Sequence, residues 1–187
     1  AIMVTSVAAC TTTEEEKTTA QNQDAPGQEQ ALPLVTEGKL IMSTNAGFAP
    51  YEYLEGDSIV GVDVDIAQYI ADELNLELEI MDVDFTNALL APQQNKSDFA
   101  AAGVSITEER KKSMDFSVEY ASSKQVVVVK KGDTSITDEA SMMTKIVGVQ
   151  QGTTADIVYG DTEAYPNGNV QAYKKYLVAA DDLKNGK

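Results

Sequence analysis

From Lys39 onward the sequence alternates between short apolar, β-branched runs and stretches whose apolar residues recur every four positions, and this alternation governs almost all of the remaining chain. Strand patterns at 39–44, 76–80, 98–102, 125–129, 145–149 and 170–173 interleave with helix patterns at 63–75, 86–94, 105–112, 153–159 and 177–185. The fold class this predicts is α/β, with helices over a largely parallel sheet and the unit repeated twice. The clearest helix is 63–75, where Ile66, Ile70 and Leu74 share a face with Ala67 and Ala71, and Asp63 and Asp65 suit the positive end of the helix dipole. Leu76-Glu77-Leu78-Glu79-Ile80 alternates as a strand with one wet face, Pro92 weakens the helix at 86–94, and Ser105 with Glu108 matches a capping box. Residues 51–54 and 59–61 read as extended pieces around a tight turn. The valine run at 125–129 reads as a strand leaving one unit for the other, which divides the folded part into 32–125, a connecting strand at 126–130, and 131–187.

Composition removes several functions from consideration. The 187 residues include 14 Lys and Arg against 30 Asp and Glu, a net charge of −16, so the chain lacks the basic footprint that nucleic acid or anionic lipid requires. With no histidine, Ser-His-Asp catalysis, histidine zinc sites and histidine pH switches are excluded. One cysteine permits no internal disulfide. No metal ligands, cofactor site or catalytic residues are expected.

Residues 1–9 are small and apolar and read as the end of a signal peptide; Val7-Ala8-Ala9-Cys10 resembles the bacterial lipobox, which implies a diacylglycerol thioether on Cys10. Residues 11–31 hold no large apolar side chain and cannot offset their chain entropy by burial, so 10–31 is expected to be a leash outside a membrane. At the other end, 177–185 closes on Gly186 as helices do before a further element, and the chain is expected to be a piece cut at both ends.

In a parallel α/β sheet, ligands bind beyond the carboxyl ends of the strands. Three loops qualify. The loop at 45–51 offers Asn45 beside the aromatic rings of Phe48 and Tyr51. The second, 102–110, combines Gly103, where a ligand can approach the backbone, Val104, a helix start near Ser105, and the Arg110 guanidinium. Residues 150–155 offer Gln150 and a helix start at Gly152-Thr153-Thr154. A planar fork of donors with oriented amides suits a carboxylate. On residue type alone, the default reading of Arg110 is part of a solvated charged face, that of Phe48 a core aromatic, and that of Gly152-Thr153-Thr154 an ordinary helix start.

The segments fall in a recognisable order. Thr44-Asn45-Ala46-Gly47-Phe48-Ala49-Pro50-Tyr51-Glu52-Tyr53 is followed by Gly61-Val62-Asp63-Val64-Asp65-Ile66-Ala67, Asp84-Phe85-Thr86, Gly103-Val104-Ser105-Ile106-Thr107-Glu108-Glu109-Arg110-Lys111, Met114-Asp115-Phe116-Ser117 and Gly148-Val149-Gln150-Gln151-Gly152-Thr153-Thr154. From about Gly38 to Lys187 this resembles the extracellular solute-binding proteins for polar amino acids that serve ABC importers. The resemblance implies a periplasmic-binding-protein-like fold of type II, two α/β lobes joined by hinge strands and closing on a free amino acid, with the second lobe incomplete here. It implies that Arg110, the backbone at Ser105, and Thr154 hold the α-carboxylate, that Phe48 and Phe85 sandwich the side chain, and that the Gly103 carbonyl accepts from the α-ammonium. Asn45 and Gln150 are implied to tune selectivity, with Tyr51, Val104 and Thr153 lining the same site. Relatives are expected to continue past Lys187 into a strand whose aspartate pairs with the α-ammonium. The implied partners are a free amino acid, an ABC permease and, through Cys10, the outer face of the cytoplasmic membrane, for a monomer. Competing readings are a ligand-sensing domain of a receptor, or a dehydratase- or transglycosylase-type enzyme on the same fold.

Overall fold

A computed structural model describes residues 32–166 and 168–187. Cys10 and the expected leash and signal segment lie outside the described residues.

Strand β1 (Lys39–Thr44) lies between β4 (Glu77–Asp82) and β5 (Phe99–Ala100) in a parallel sheet of order β4-β1-β5. Lys39 stands opposite Glu77 and Thr44 opposite Asp82, while Met42 and Ser43 stand opposite Phe99 and Ala100. Leu40, Ile41, Met42, Ser43 and Thr44 are all buried, as befits a strand covered on both faces. Of the two polar members of that run, Ser43 is satisfied, its hydroxyl donating to the Ala88 carbonyl at 2.8 Å and accepting from the Ser97 hydroxyl at 3.0 Å, whereas the buried Thr44 hydroxyl has no partner among the described residues. Asp98 fixes the start of the unit, accepting from the amides of Val35 and Ile41, each at 2.7 Å.

Between β1 and β4 run β2 (Tyr53–Glu55), β3 (Ser58–Val60) and helix α1 (Val62–Glu73). The two short strands form an antiparallel hairpin turning at Gly56. The expected helix is present, but its buried row is Asp63, Ala67 and Ala71, while Ile66 and Ile70 remain 38% and 39% exposed. Small side chains let the helix backbone approach the sheet, so the row of larger residues is turned to its margin. Helix α2 (Phe85–Leu90) is followed by a separate 3-10 turn at Pro92–Gln94, the break that a ring without an N–H imposes.

Two expected elements are absent among the described residues. Instead of a helix over 105–112 there is a single 3-10 turn, Arg110–Lys112, with no capping box from Ser105. An α-helix there would commit the Ser105 carbonyl to the amide of Glu109, whereas it accepts from Arg110 Nη1 at 2.8 Å. Residues 125–129 form no strand: Val126 and Val128 are 78% and 70% exposed, and no described strand pairs with them. Strand propensity without a ladder partner does not make a strand.

The second sheet pairs β6 (Ile146–Gln150) in parallel with β7 (Asn169–Tyr173), Ile146 opposite Asn169 and Gln150 opposite Tyr173. Helix α4 (Thr154–Tyr159) forms the crossover, and α5 (Tyr176–Asn185) follows β7 and ends on Gly186 in the left-handed conformation. Helix α3 (Glu139–Met142), which the periodicity does not reveal, is set by a reciprocal cap between Asp138 and Ser141 and buries Met142. Among the described residues no helix is long and apolar enough to cross a membrane.

Candidate functional site

The carboxyl ends of β1, β4, β5, β6 and β7 feed one set of facing loops. Arg110 is central to it. Its side chain is 8% exposed, with Nη1 donating to the Ser105 carbonyl at 2.8 Å and Nη2 donating to the Gly152 carbonyl at 3.1 Å, and its Cζ lies 5.7 Å from the centroid of the Phe85 ring. Burial lowers its pKa from the ordinary value, but an arginine remains charged at neutral pH. Two of its five N–H groups are engaged with these carbonyls, and the others suit the two oxygens of a carboxylate. The solvated-face reading of Arg110 is thereby replaced.

Phe48 packs on Tyr51, ring centroids 5.5 Å apart at 20°, and faces Tyr176 from the second sheet unit at 6.4 Å and 30°. Gly103 passes under this wall with φ +55°, and a Cβ there would lie 2.8 Å from Phe48 Cε1. Its φ belongs to the region glycine enters without penalty. Opposite, Gly152 lies so close to the first unit that a Cβ would meet Thr86 Oγ1 at 2.6 Å and Phe85 Cδ1 at 3.8 Å.

The α4 start behaves as an ordinary helix start. Thr153 is the N-cap, its hydroxyl accepting from the Asp156 amide at 3.4 Å and donating to the Gln150 carbonyl at 2.7 Å, and the Gly152 amide donates to Asp156 Oδ2 at 2.8 Å. The Thr154 hydroxyl accepts from Gln125 Nε2 at 3.0 Å. Ser105 is exposed, Val104 half-buried, and neither sits at a helix start.

Asn45 and Gln150, 105 residues apart, meet directly: Gln150 Nε2 donates to Asn45 Oδ1 at 2.7 Å and to the Lys174 carbonyl at 3.0 Å, while Asn45 Nδ2 donates to the Val83 carbonyl at 2.6 Å. Two lysines missed in the sequence extend this junction. Lys174 Nζ pairs with Asp84 at 2.9 Å; Lys175 Nζ reaches the Ala46 carbonyl at 3.4 Å and Asp82 at 3.8 Å. The signal was available, since both follow the end of β7 in a strongly acidic chain.

Behind the aromatic wall lie two carboxyl groups, Glu52 and Asp63, each 1% exposed. Burial first, and then the neighbouring Asp63, pushes the Glu52 pKa up to about 9. Between its ordinary value of 4.5 and about 9 the folded chain binds one more proton here than the unfolded chain, so the contribution present below pH 4.5 is lost as pH rises. Glu52→Gln is therefore expected to flatten the fall in stability between pH 5 and 9 and to add about 2–3 kcal/mol at pH 7. Urea denaturation of both proteins across that range checks this; parallel pH profiles would rule it out.

Comparison with known proteins gives one consistent result. Residues 40–186 match the family model described as bacterial extracellular solute-binding proteins, family 3. The arginine-binding extracellular protein ArtP of Bacillus subtilis (strain 168) is 41% identical over 61% of this chain and 44% of its own length. A protein of Neisseria gonorrhoeae named "Probable histidine-binding protein" is 32% identical over 86% of this chain and 60% of its own length. The aligned stretches thus span about half the length of these two curated relatives. Among solved structures, the arginine-bound form of a truncated ArgBP from T. maritima superposes with a TM-score of 0.75, at 36% identity over 81% of this chain and 71% of that one.

Proposed function

Since the chain belongs to the bacterial extracellular solute-binding proteins, family 3, we propose that it binds a free polar amino acid outside the cytoplasmic membrane and delivers it to an ABC importer by closure of two α/β units. The observation that carries this reading is Arg110, a buried guanidinium that joins the Ser105 carbonyl of one unit to the Gly152 carbonyl of the other with donors left for a carboxylate. A ligand seated there contributes contacts to both units, so it favours the closed arrangement by its differential affinity. Phe85 below and Phe48 with Tyr51 beside it give the side chain apolar walls.

In this reading the units are 32–125 and 131–187, hinged at 126–130. Ser105 and Thr154 assist Arg110 at the carboxylate, Val104 and Thr153 line its surroundings, the Gly103 carbonyl accepts from the ammonium, and Asn45 and Gln150 set selectivity where the side chain ends. The names of the relatives make arginine and histidine the first probes. Cys10 is the anchor that holds a monomer beside its permease. The chain acts as a binding protein and not as an enzyme, in keeping with relatives named for binding.

The test is thermal unfolding of the full chain, alone and with each of the twenty amino acids. A ligand at 100 times its Kd is expected to add about 2.7 kcal/mol of stability. A cooperative transition that no amino acid raises would overturn the reading.

A further inference from the structure

Asp63 touches three parts of the site at once. Its amide donates to the Tyr51 carbonyl at 3.0 Å, which ties the aromatic loop to the start of α1. Its Oδ2 accepts from the Gly103 amide at 2.9 Å, and its Oδ1 accepts from the Tyr120 hydroxyl at 2.9 Å. The side chain is 1% exposed, and the Glu52 carboxyl faces it. An unpaired buried carboxylate is costly, so these two donors hold Asp63 in one orientation. Gly103 in turn stands in a left-handed conformation against Phe48, where its backbone has little room to shift.

We propose that Asp63 is a positioning residue for the part of the site that receives the ligand's ammonium: it fixes the Ala102–Gly103 peptide, from which the left-handed Gly103 backbone carries its own carbonyl into the site, with Tyr120 orienting the carboxylate. This rests on the reading of Gly103 as the ammonium acceptor given under the proposed function. Asp63 acts through Gly103 and also as a buried negative charge, whose field on a cation is weakly screened away from water. Glu52, its pKa pushed up to about 9, presents a protonated carboxyl to Asp63 at neutral pH. Tyr120 belongs to the segment that leads out of the first unit, so the same hydroxyl links the ammonium end of the site to the path between units.

The experiment titrates L-arginine and 5-guanidinopentanoate, the same molecule without its α-ammonium, into the full chain and its Tyr120→Phe and Asp63→Asn variants. Should arginine not bind, the amino acid that does and its deaminated counterpart replace them. Tyr120→Phe is expected to weaken the amino acid about fivefold, the size of one ordinary hydrogen bond, and to leave the deaminated ligand unchanged. Asp63→Asn is expected to weaken the amino acid about thirtyfold, as for a charge-assisted contact, again with little change for the deaminated ligand. Equal losses for both ligands, or no loss in either variant, overturn the inference. If Asp63→Asn does not fold, Tyr120→Phe decides alone, since it removes one hydroxyl from a half-exposed ring. If the wild-type chain binds none of the twenty amino acids, the functional reading fails and this inference with it.

Discussion

Arg110→Ala is expected to lower affinity for the amino acid ligand on the order of a hundredfold or more, because two charge-assisted hydrogen bonds of about 1.5–3 kcal/mol each would be lost from a buried carboxylate. The substitution also leaves the Ser105 and Gly152 carbonyls without the donors they have now, at 2.8 and 3.1 Å. Arg110→Lys separates charge from geometry. A lysine restores one positive centre but cannot reach two carbonyls and two carboxylate oxygens at once, so it is expected to recover only a small part of the loss. Calorimetric titration of the three proteins with arginine provides the comparison. Equal affinity in wild type and Arg110→Ala would remove this residue from the site.

Gly61→Ala is expected to be the most damaging single methyl group in the first unit. Gly61 precedes α1 at φ 132° and ψ 179°, a conformation open in practice only to glycine, and a Cβ there would fall 2.2 Å from the Tyr51 carbonyl oxygen. That carbonyl cannot withdraw cheaply: it accepts from the Asp63 amide at 3.0 Å, and the neighbouring Pro50 carbonyl accepts from Val62 at 3.1 Å. Backbone strain and displaced backbone together are expected to cost about 3 kcal/mol or more, lowering Tm by roughly 6–12 °C for a chain of this size. Urea and thermal unfolding measure it. A loss below about 1 kcal/mol, within the range of an unremarkable surface change, would show that the loop adapts freely.

How much of this was readable beforehand depends on how far each feature depends on distant residues. Strand β1 has the bounds its apolar run gives, and α1, β4, α4 and α5 differ from their patterns by only a few residues, because local periodicity and end signals determine them. Loop position and family resemblance point to Arg110, Phe85, Phe48 and Gly103, and the structure sets Arg110 over Phe85 and Gly103 against Phe48. The failures are tertiary. Ser105 begins no helix because a side chain five residues on takes its carbonyl, and residues 125–129 remain unpaired because strand formation needs a partner that propensity cannot supply. Asn45 and Gln150 were read as separate groups, and only folding reveals that each is the other's partner. Lys174 and Lys175 are legible only from their position after β7, and the Glu52–Asp63 pair leaves no periodic trace because the burial of a carboxyl group is set by distant residues.

The double grip of Asp98 on Val35 and Ile41 ties the entry of the described fold to its central strand. Val35 shares the Asp98 carboxylate with Ile41, and Asn45 follows Ile41 by four residues, about 13 Å along the chain at roughly 3.3 Å per residue. Load applied at Val35 meets the Asp98 carboxylate and a central parallel strand before the loops beyond Thr44. Strain entering the described fold at Val35 therefore crosses a buried parallel strand before it reaches Asn45.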